Sequence, residues 1–272
     1  MNVFWNSRER RLRAFWRIFL QTATIVLLSA GAFIVLMSVG GISGRPIEED
    51  PLLIVVSNLV MIAAVAICGR VLDRRVLTDF GMQWNSSWFV DFSAGLLLAA
   101  FSLVAMLCVM LAFGWVRVSP TIDVVSQLPM LVVWLIAFVS VGFGEELLAR
   151  GYYLRNLAEA FRGGRMSANV AVLLAFVVSS VVFGVLHIPN PNMTPMAAAN
   201  LCLAGVVLGL PAVLTGRLGM SVGFHIGWNY VLGNVLGFPV SGLPMQSRVL
   251  ETESVGPEWI TGGPFGPEGG VI

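Results

Sequence analysis

Two adjacent carboxylates, Glu145 and Glu146, stand at the end of the apolar run 128–143, with Arg150 four residues beyond the second. An ionisable group in a membrane-length apolar segment is costly and is functional by default. The chain's only two histidines, His187 and His225, lie in later apolar segments, and Asn229 follows His225 by four. These residue types can activate water and hold an oxyanion. A carboxylate helped by an imidazole takes the proton, and Asn or His donors stabilise the negative oxygen of a tetrahedral intermediate. The same atoms can instead bind zinc through two His and a carboxylate, leaving one position for water. No HExxH occurs, so the usual zinc-protease helix is absent. A Ser/His/Asp triad is the weaker reading.

Spacing sorts these residues into roles. Glu146 and Arg150 share a helix face, and an ion pair is their plain structural explanation. Removing one partner would leave an uncompensated buried charge. Glu145 is turned about 100° from Glu146 and about 140° from Arg150, so it cannot easily use the same partner. It is either a water-facing residue at the end of a span, a proton acceptor or a metal ligand. Phe183 precedes His187 by four, so its ring packs beside the imidazole, and Pro189 and Pro191 end that helix. Alone, His187 reads as a polar cap. His225 and Asn229 also share a face, and alone they read as interhelical hydrogen-bonding residues. Gly223 and Gly227 flank His225, so another backbone or a substrate can come close.

The elements that must position these groups are membrane spans. The 272 residues are 57% hydrophobic and 11% charged, with a mean hydropathy of +0.86. Soluble domains run at roughly 45–50% apolar. The expected fold is an all-α polytopic transmembrane helical bundle of about seven spans, near 18–39, 51–70, 91–114, 128–149, 169–188, 195–214 and 219–237. The fourth runs on as a polar helix to about Phe161, and an eighth has room only in the tail. Residues 1–90 hold two spans and a charged, Trp-bearing stretch (Asp73 to Trp88) suited to the interface. Residues 91–240 carry the motifs, and 241–272 form a Gly/Pro-rich tail expected to end flexibly. The arginine-flanked first apolar run exceeds a signal-peptide core and reads as an uncleaved span. Cys68, Cys108 and Cys202 lack CxxC spacing and read as buried packing thiols. A net charge of +1 gives no case for nucleic acid.

Arginine placement fits alternating spans. Arg8, Arg10, Arg11, Arg13, Arg17, Arg70, Arg74, Arg75, Arg155, Arg162, Arg165 and Arg217 fall on one side, against Arg45, Arg117 and Arg248 on the other. The positive-inside rule then puts the N-terminus in the cytoplasm and the C-terminus outside. The same counting sets Glu145 and His225 in the cytoplasmic half, with His187 near the outer end of the fifth span. That mismatch exceeds about 10 Å unless helices tilt or the fifth span stops short at Pro189.

Glu145-Glu146-xxx-Arg150, Phe183-xxx-His187 and His225-xxx-Asn229, in this order on separate apolar segments, resemble the three signature motifs of the CPBP family. These are CAAX-type prenyl endopeptidases and bacteriocin-processing intramembrane proteases, also called the Abi family. The resemblance covers about 128–240. It implies an intramembrane endopeptidase in which Glu145 acts with His187 to activate water and His225 with Asn229 forms the oxyanion hole. Glu146 and Arg150 would support the first motif. If the enzyme is metal-dependent, Glu145, His187 and His225 would hold Zn²⁺; the good oxyanion donor at Asn229 tilts the expectation towards metal-free hydrolysis. The all-Arg, compact chain looks bacterial, so the expected setting is a bacterial cytoplasmic membrane. The expected partners are the lipid bilayer and a membrane peptide or protein substrate, not a prenylated CAAX protein. Two other classes stay open: a non-catalytic immunity, chaperone or scaffold protein, and a proton-coupled transporter.

Overall fold

The computed structural model describes residues 3–7, 9–38, 50–121, 123–162 and 166–271. Arg8, Arg45, Arg165 and the last residue of the expected first span, Val39, lie outside them. The chain is an all-α polytopic bundle: α1 (Ala14–Ser38), α2 (Pro51–Cys68), α3 (Ser86–Ala112), α4 (Val124–Glu146), α5 (Leu154–Arg162), α6 (Ala168–Leu186), α7 (Pro195–Thr215), α8 (Gly219–Tyr230) and the short α9 (Glu258–Thr261). Helix starts follow local capping chemistry. Asp50 accepts from Leu52 N ahead of Pro51, Asn85 from Trp88 N, and Thr194 from Ala197 N ahead of Pro195. Strands are confined to two antiparallel pairs among the described residues, β1 (Trp5–Asn6) with β2 (Arg11–Leu12) and β3 (Val116–Pro120) with β4 (Leu250–Ser254).

Six helices among the described residues are long and apolar enough to cross a membrane: 14–38, 51–73, 86–112, 124–162, 168–186 and 195–215. The chain is an integral membrane protein, and many large apolar side chains on these helices, such as Leu27, Leu97 and Phe101, face outward. The seventh expected span corrects to something different. Gly219 to Tyr230 is only 12 residues of α-helix, continued by a π-helical turn to Val235. It is largely buried, with Leu218 N bonded to Gly81 O just before its start and Asn234 O, in the π-helical turn, bonded to Val249 N ahead of β4.

Gly219, Gly223 and Gly227 explain how α8 is held. A Cβ on them would lie 2.3 Å from Trp88 O, 2.0 Å from Phe92 O and 3.1 Å from Leu96 O. The two four-residue ladders advance together, so α8 runs parallel to α3 with the backbones in near contact. Of the two close approaches open to these glycines, the α3 backbone is the one seen.

The two ends of the bundle differ. At the N-terminal end, Arg17 pairs with Asp73 and with Glu159 (2.7 Å), and Arg11 and Arg75 also pair with Glu159. The stretch between α2 and α3 packs here, with Phe80 and Trp88 fully inside the core. The expected interfacial segment is therefore partly a core element. At the opposite end the tail is folded, which corrects the flexible expectation. β4 pairs with β3, and glycines at positive φ (Gly262, Gly263, Gly266) let 258–271 turn tightly enough to dock. Cys68 is buried, whereas Cys202 is half-buried and Cys108 exposed, so packing inside the protein accounts only for the first.

Candidate active site

The continuous helix 124–162 spans about 58 Å at 1.5 Å per residue, so Glu145 is near its middle and not at an end. Its lower half forms a hairpin with α6. Glu145 lies 17 residues before Arg162, and His187 lies 19 residues after Ala168. Antiparallel arms of nearly equal length bring the two side chains level. The depth mismatch expected from span counting is thus resolved by a fifth span that stops, at Leu186, at the height of Glu145.

The structure brings the predicted residues together. Glu145 Oε2 stands 3.9 Å from His187 Nε2 and 3.9 Å from His225 Nε2. Glu145 Oε2 is buried and accepts no hydrogen bond from the protein. Each imidazole is fixed through its other nitrogen. His187 Nδ1 donates to Phe183 O at 2.7 Å, and His225 Nδ1 donates to Glu146 Oε1 at 2.8 Å. A carbonyl and a paired carboxylate only accept, so both Nδ1 atoms carry the proton and both Nε2 atoms face Glu145. Asn229, one turn beyond His225, is buried and lines the same cavity.

Glu146 is fully buried. Its Oε1 also accepts from Arg150 Nη1 at 2.8 Å, the pair the spacing required. Helical spacing could not show that this oxygen also holds His225. Arg150 sits in a π-helical turn, Leu147–Tyr153, that follows α4 directly. It also donates to Gly205 O at 3.1 Å, tying α4 to α7. Its guanidinium carbon lies 4.2 Å from the centre of the Phe183 ring, itself 4.7 Å from the His187 ring and 6.0 Å from that of His225. Phe183 therefore spaces the two imidazoles and covers the arginine.

These groups open into a cavity of about 850 Å³. Its walls are largely apolar, from α1, α2, α4, α6, α7 and α8, with a few polar side chains among them. Asn58 and Asn200 were not singled out by sequence. Glu268, in the tail assigned no role, accepts from Trp228 Nε1 at 2.9 Å and from the Ser241 backbone and hydroxyl, so the tail forms one wall. Periodicity gives no hint of these, because each depends on contacts distant in the chain.

The string Gly219-Met220-Ser221-Val222-Gly223 does have G-x-S-x-G lettering. Ser221 is fully buried, donates to Leu208 O at 2.6 Å, and lies within α8 and not at the strand-to-helix turn of a nucleophile elbow. A serine nucleophile has no support there.

By donor type, Glu145, His187 and His225 suit zinc, and both imidazoles have the outer hydrogen bonds that zinc ligands usually make. By spacing they do not fit as they stand. Two ligands of a tetrahedral zinc at about 2.0–2.1 Å are about 3.3 Å apart, closer than the 3.9 Å here. Among the described residues no three His, Cys, Asp or Glu side chains are arranged to hold a metal ion.

Residues 126–231 match the family model for type II CAAX prenyl endopeptidase Rce1-like proteins. The matched stretch holds every residue of the three motifs. No curated protein and no solved structure matches the chain.

Proposed function

We propose that this membrane protein, whose residues 126–231 match the type II CAAX prenyl endopeptidase Rce1-like family model, hydrolyses a peptide bond of a membrane-embedded peptide or protein. The observation that carries the reading is the convergence of both histidines on one unpartnered carboxylate oxygen inside a largely apolar cavity.

The proposed course uses this chain's own side chains. Glu145 Oε2 takes a proton from water as its oxygen attacks the scissile carbonyl carbon. The lone pair of His187 Nε2 accepts from the same water and orients it. The carbonyl becomes an oxyanion, held by Asn229 Nδ2 and by Nε2–H of His225. Because Nδ1 of His225 already donates to Glu146, that second donor exists only in the imidazolium form, with Glu146 as counter-ion. Collapse of the intermediate breaks the C–N bond, and the Glu145 carboxyl returns its proton to the leaving amine.

The proposed setting is a bacterial cytoplasmic membrane with the N-terminus inside. Ten described arginines (10, 11, 13, 17, 70, 74, 75, 155, 162 and 217) mark one end of the bundle and only Arg117 and Arg248 the other, which supports that orientation.

Purified protein in detergent is expected to cleave a transmembrane peptide, and Glu145→Ala to stop cleavage while keeping the wild-type melting transition. Equal cleavage by that variant would sink the assignment of Glu145, and no cleavage by the wild type would favour a non-catalytic protein. Activity is expected to survive a chelator. Chelator-silenced activity restored by Zn²⁺ would instead assign Glu145, His187 and His225 as ligands.

A further inference from the structure

The cavity has a second polar end, and the tail supplies its charge. Glu268 is half-buried and lines the cavity. Its Oε1 accepts from Trp228 Nε1 at 2.9 Å, and its Oε2 from the Ser241 backbone N–H and, at 3.0 Å, from the Ser241 hydroxyl. All three donors are neutral. Glu146 and Glu159 are paired with arginines, whereas among the described residues Glu268 has no cation within ion-pair distance. Two more acceptors stand at the same end. Asn200 donates from Nδ2 to Glu268 O at 3.0 Å and to Gly270 O at 2.6 Å, and Asn190 donates from Nδ2 to Ser241 O at 3.1 Å. Carbonyl partners fix the orientation of both amides, because a flipped amide would face oxygen with oxygen. Each Oδ1 is then left without a protein donor among the described residues, and neither is sealed off by the protein. Both side chains line the cavity.

This end adjoins the catalytic groups. Trp228 stands three residues after His225 on α8, and Asn190 N–H donates to His187 O at 3.0 Å in the turn after α6. Glu268 itself lies outside the 126–231 match, so the charge belongs to the tail of this chain. A half-buried carboxylate held only by neutral donors keeps its charge uncompensated. A set of acceptors around one negative charge suits a cationic donor. We propose that Glu268, with Asn190 and Asn200 beside it, forms a specificity subsite for a basic side chain of the substrate, resting on the protease reading above. A Lys or Arg side chain lays its methylene stem along the apolar wall and brings its charged head to Glu268. A cation within an apolar segment is costly in lipid, so its transfer to this carboxylate draws that segment into the cavity. The subsite then selects substrates with a basic residue near the scissile bond over those with a neutral or acidic one.

The test uses the full-length protein in a non-ionic detergent and a neutral transmembrane peptide. Residues on either side of the cleaved bond are changed singly to Lys, Gln or Glu. At one position Lys is expected to lower KM about tenfold against Gln, and Glu to raise it, with kcat within about twofold. Glu268→Gln keeps the side-chain shape and is expected to bring the Lys and Gln peptides within about twofold of each other in KM at that position. No position favouring Lys in the wild type, or a preference that survives Glu268→Gln, overturns the proposal. A carbodiimide that joins amine to carboxylate without a spacer gives a measurement that needs no Glu268 variant. In Glu145→Ala, which leaves the peptide whole, mass spectrometry is expected to find the Lys peptide amide-bonded to Glu268. Coupling only to other carboxylates, or none, overturns the proposal. No cleavage of any peptide by the wild type would sink the protease reading itself, whereas the coupling reads the subsite alone, so the two failures are distinct.

Discussion

His187 and His225 flank one carboxylate oxygen at one distance, 3.9 Å, yet they differ at the opposite ring nitrogen. His187 donates to a neutral carbonyl, Phe183 O, at the C-terminal end of α6. His225 donates to a buried carboxylate, Glu146, in the middle of the glycine-packed α8. A carbonyl fixes a neutral imidazole and adds no charge, which suits a lone pair that orients water. A carboxylate also stabilises the imidazolium, which suits a donor to an oxyanion. On the proposed mechanism, this one local difference separates two chemically identical side chains into an acceptor and a donor.

The largest test of this contrast removes each ring. His187→Ala and His225→Ala are each expected to lower kcat about 10²- to 10⁴-fold, and a variant retaining near-wild-type turnover would break the pairing. Glu146→Gln is the sharper probe. It removes the counter-ion of His225, leaves His187 untouched and strands Arg150, so it should cost about 3–5 kcal/mol of stability. The remaining activity should lose its alkaline limb at lower pH, because the imidazolium has lost its anion. An unshifted limb would show that His225 does not act as a cation. Gly144→Ala, whose methyl would fall 2.6 Å from Asn58 Oδ1, is expected to cost about 1–3 kcal/mol in a thermal melt while both histidines stay in place. The smallest effect belongs to Glu268→Gln. It keeps an acceptor for Trp228 but weakens charge-assisted bonds, and should cost about 1 kcal/mol in a thermal melt with kcat nearly unchanged.

How far the sequence anticipates this site depends on the range of the contact. Pairs four apart on one helix, Glu146 with Arg150 and Phe183 with His187, follow from the period and are both observed. The meeting of Glu145 with two histidines is expected from the motifs, but counting spans from hydropathy sets His187 too far out. The sequence does carry the helix of Glu145 on to about Phe161, but span counting takes only its apolar part as the crossing and so sets the glutamate at one end instead of near the middle of 124–162. The Glu146–His225 bond, Asn58 and Glu268 each join segments distant in the chain, and no local pattern marks them. The tail misleads for a related reason. Its Gly and Pro residues resemble a flexible end, yet at Gly262 and Gly266 they allow turns that no side chain would permit: a Cβ on Gly262 would fall 1.7 Å from Gly266 O.

The short α8 has a consequence for biogenesis. With its π-helical turn it reaches only Val235, at the short limit of what spans a bilayer, and its glycines have no packing use until α3 is in place. Six hydrophobic helices can enter the bilayer one by one, but His225 and Asn229 reach the cavity only when α8 docks among them. On the proposed function, a chain with α8 undocked is inserted but not competent for hydrolysis. Gly223→Leu should separate the two stages, leaving six helices in the membrane and no cleavage. Normal turnover in that variant would show that α8 docks by another route.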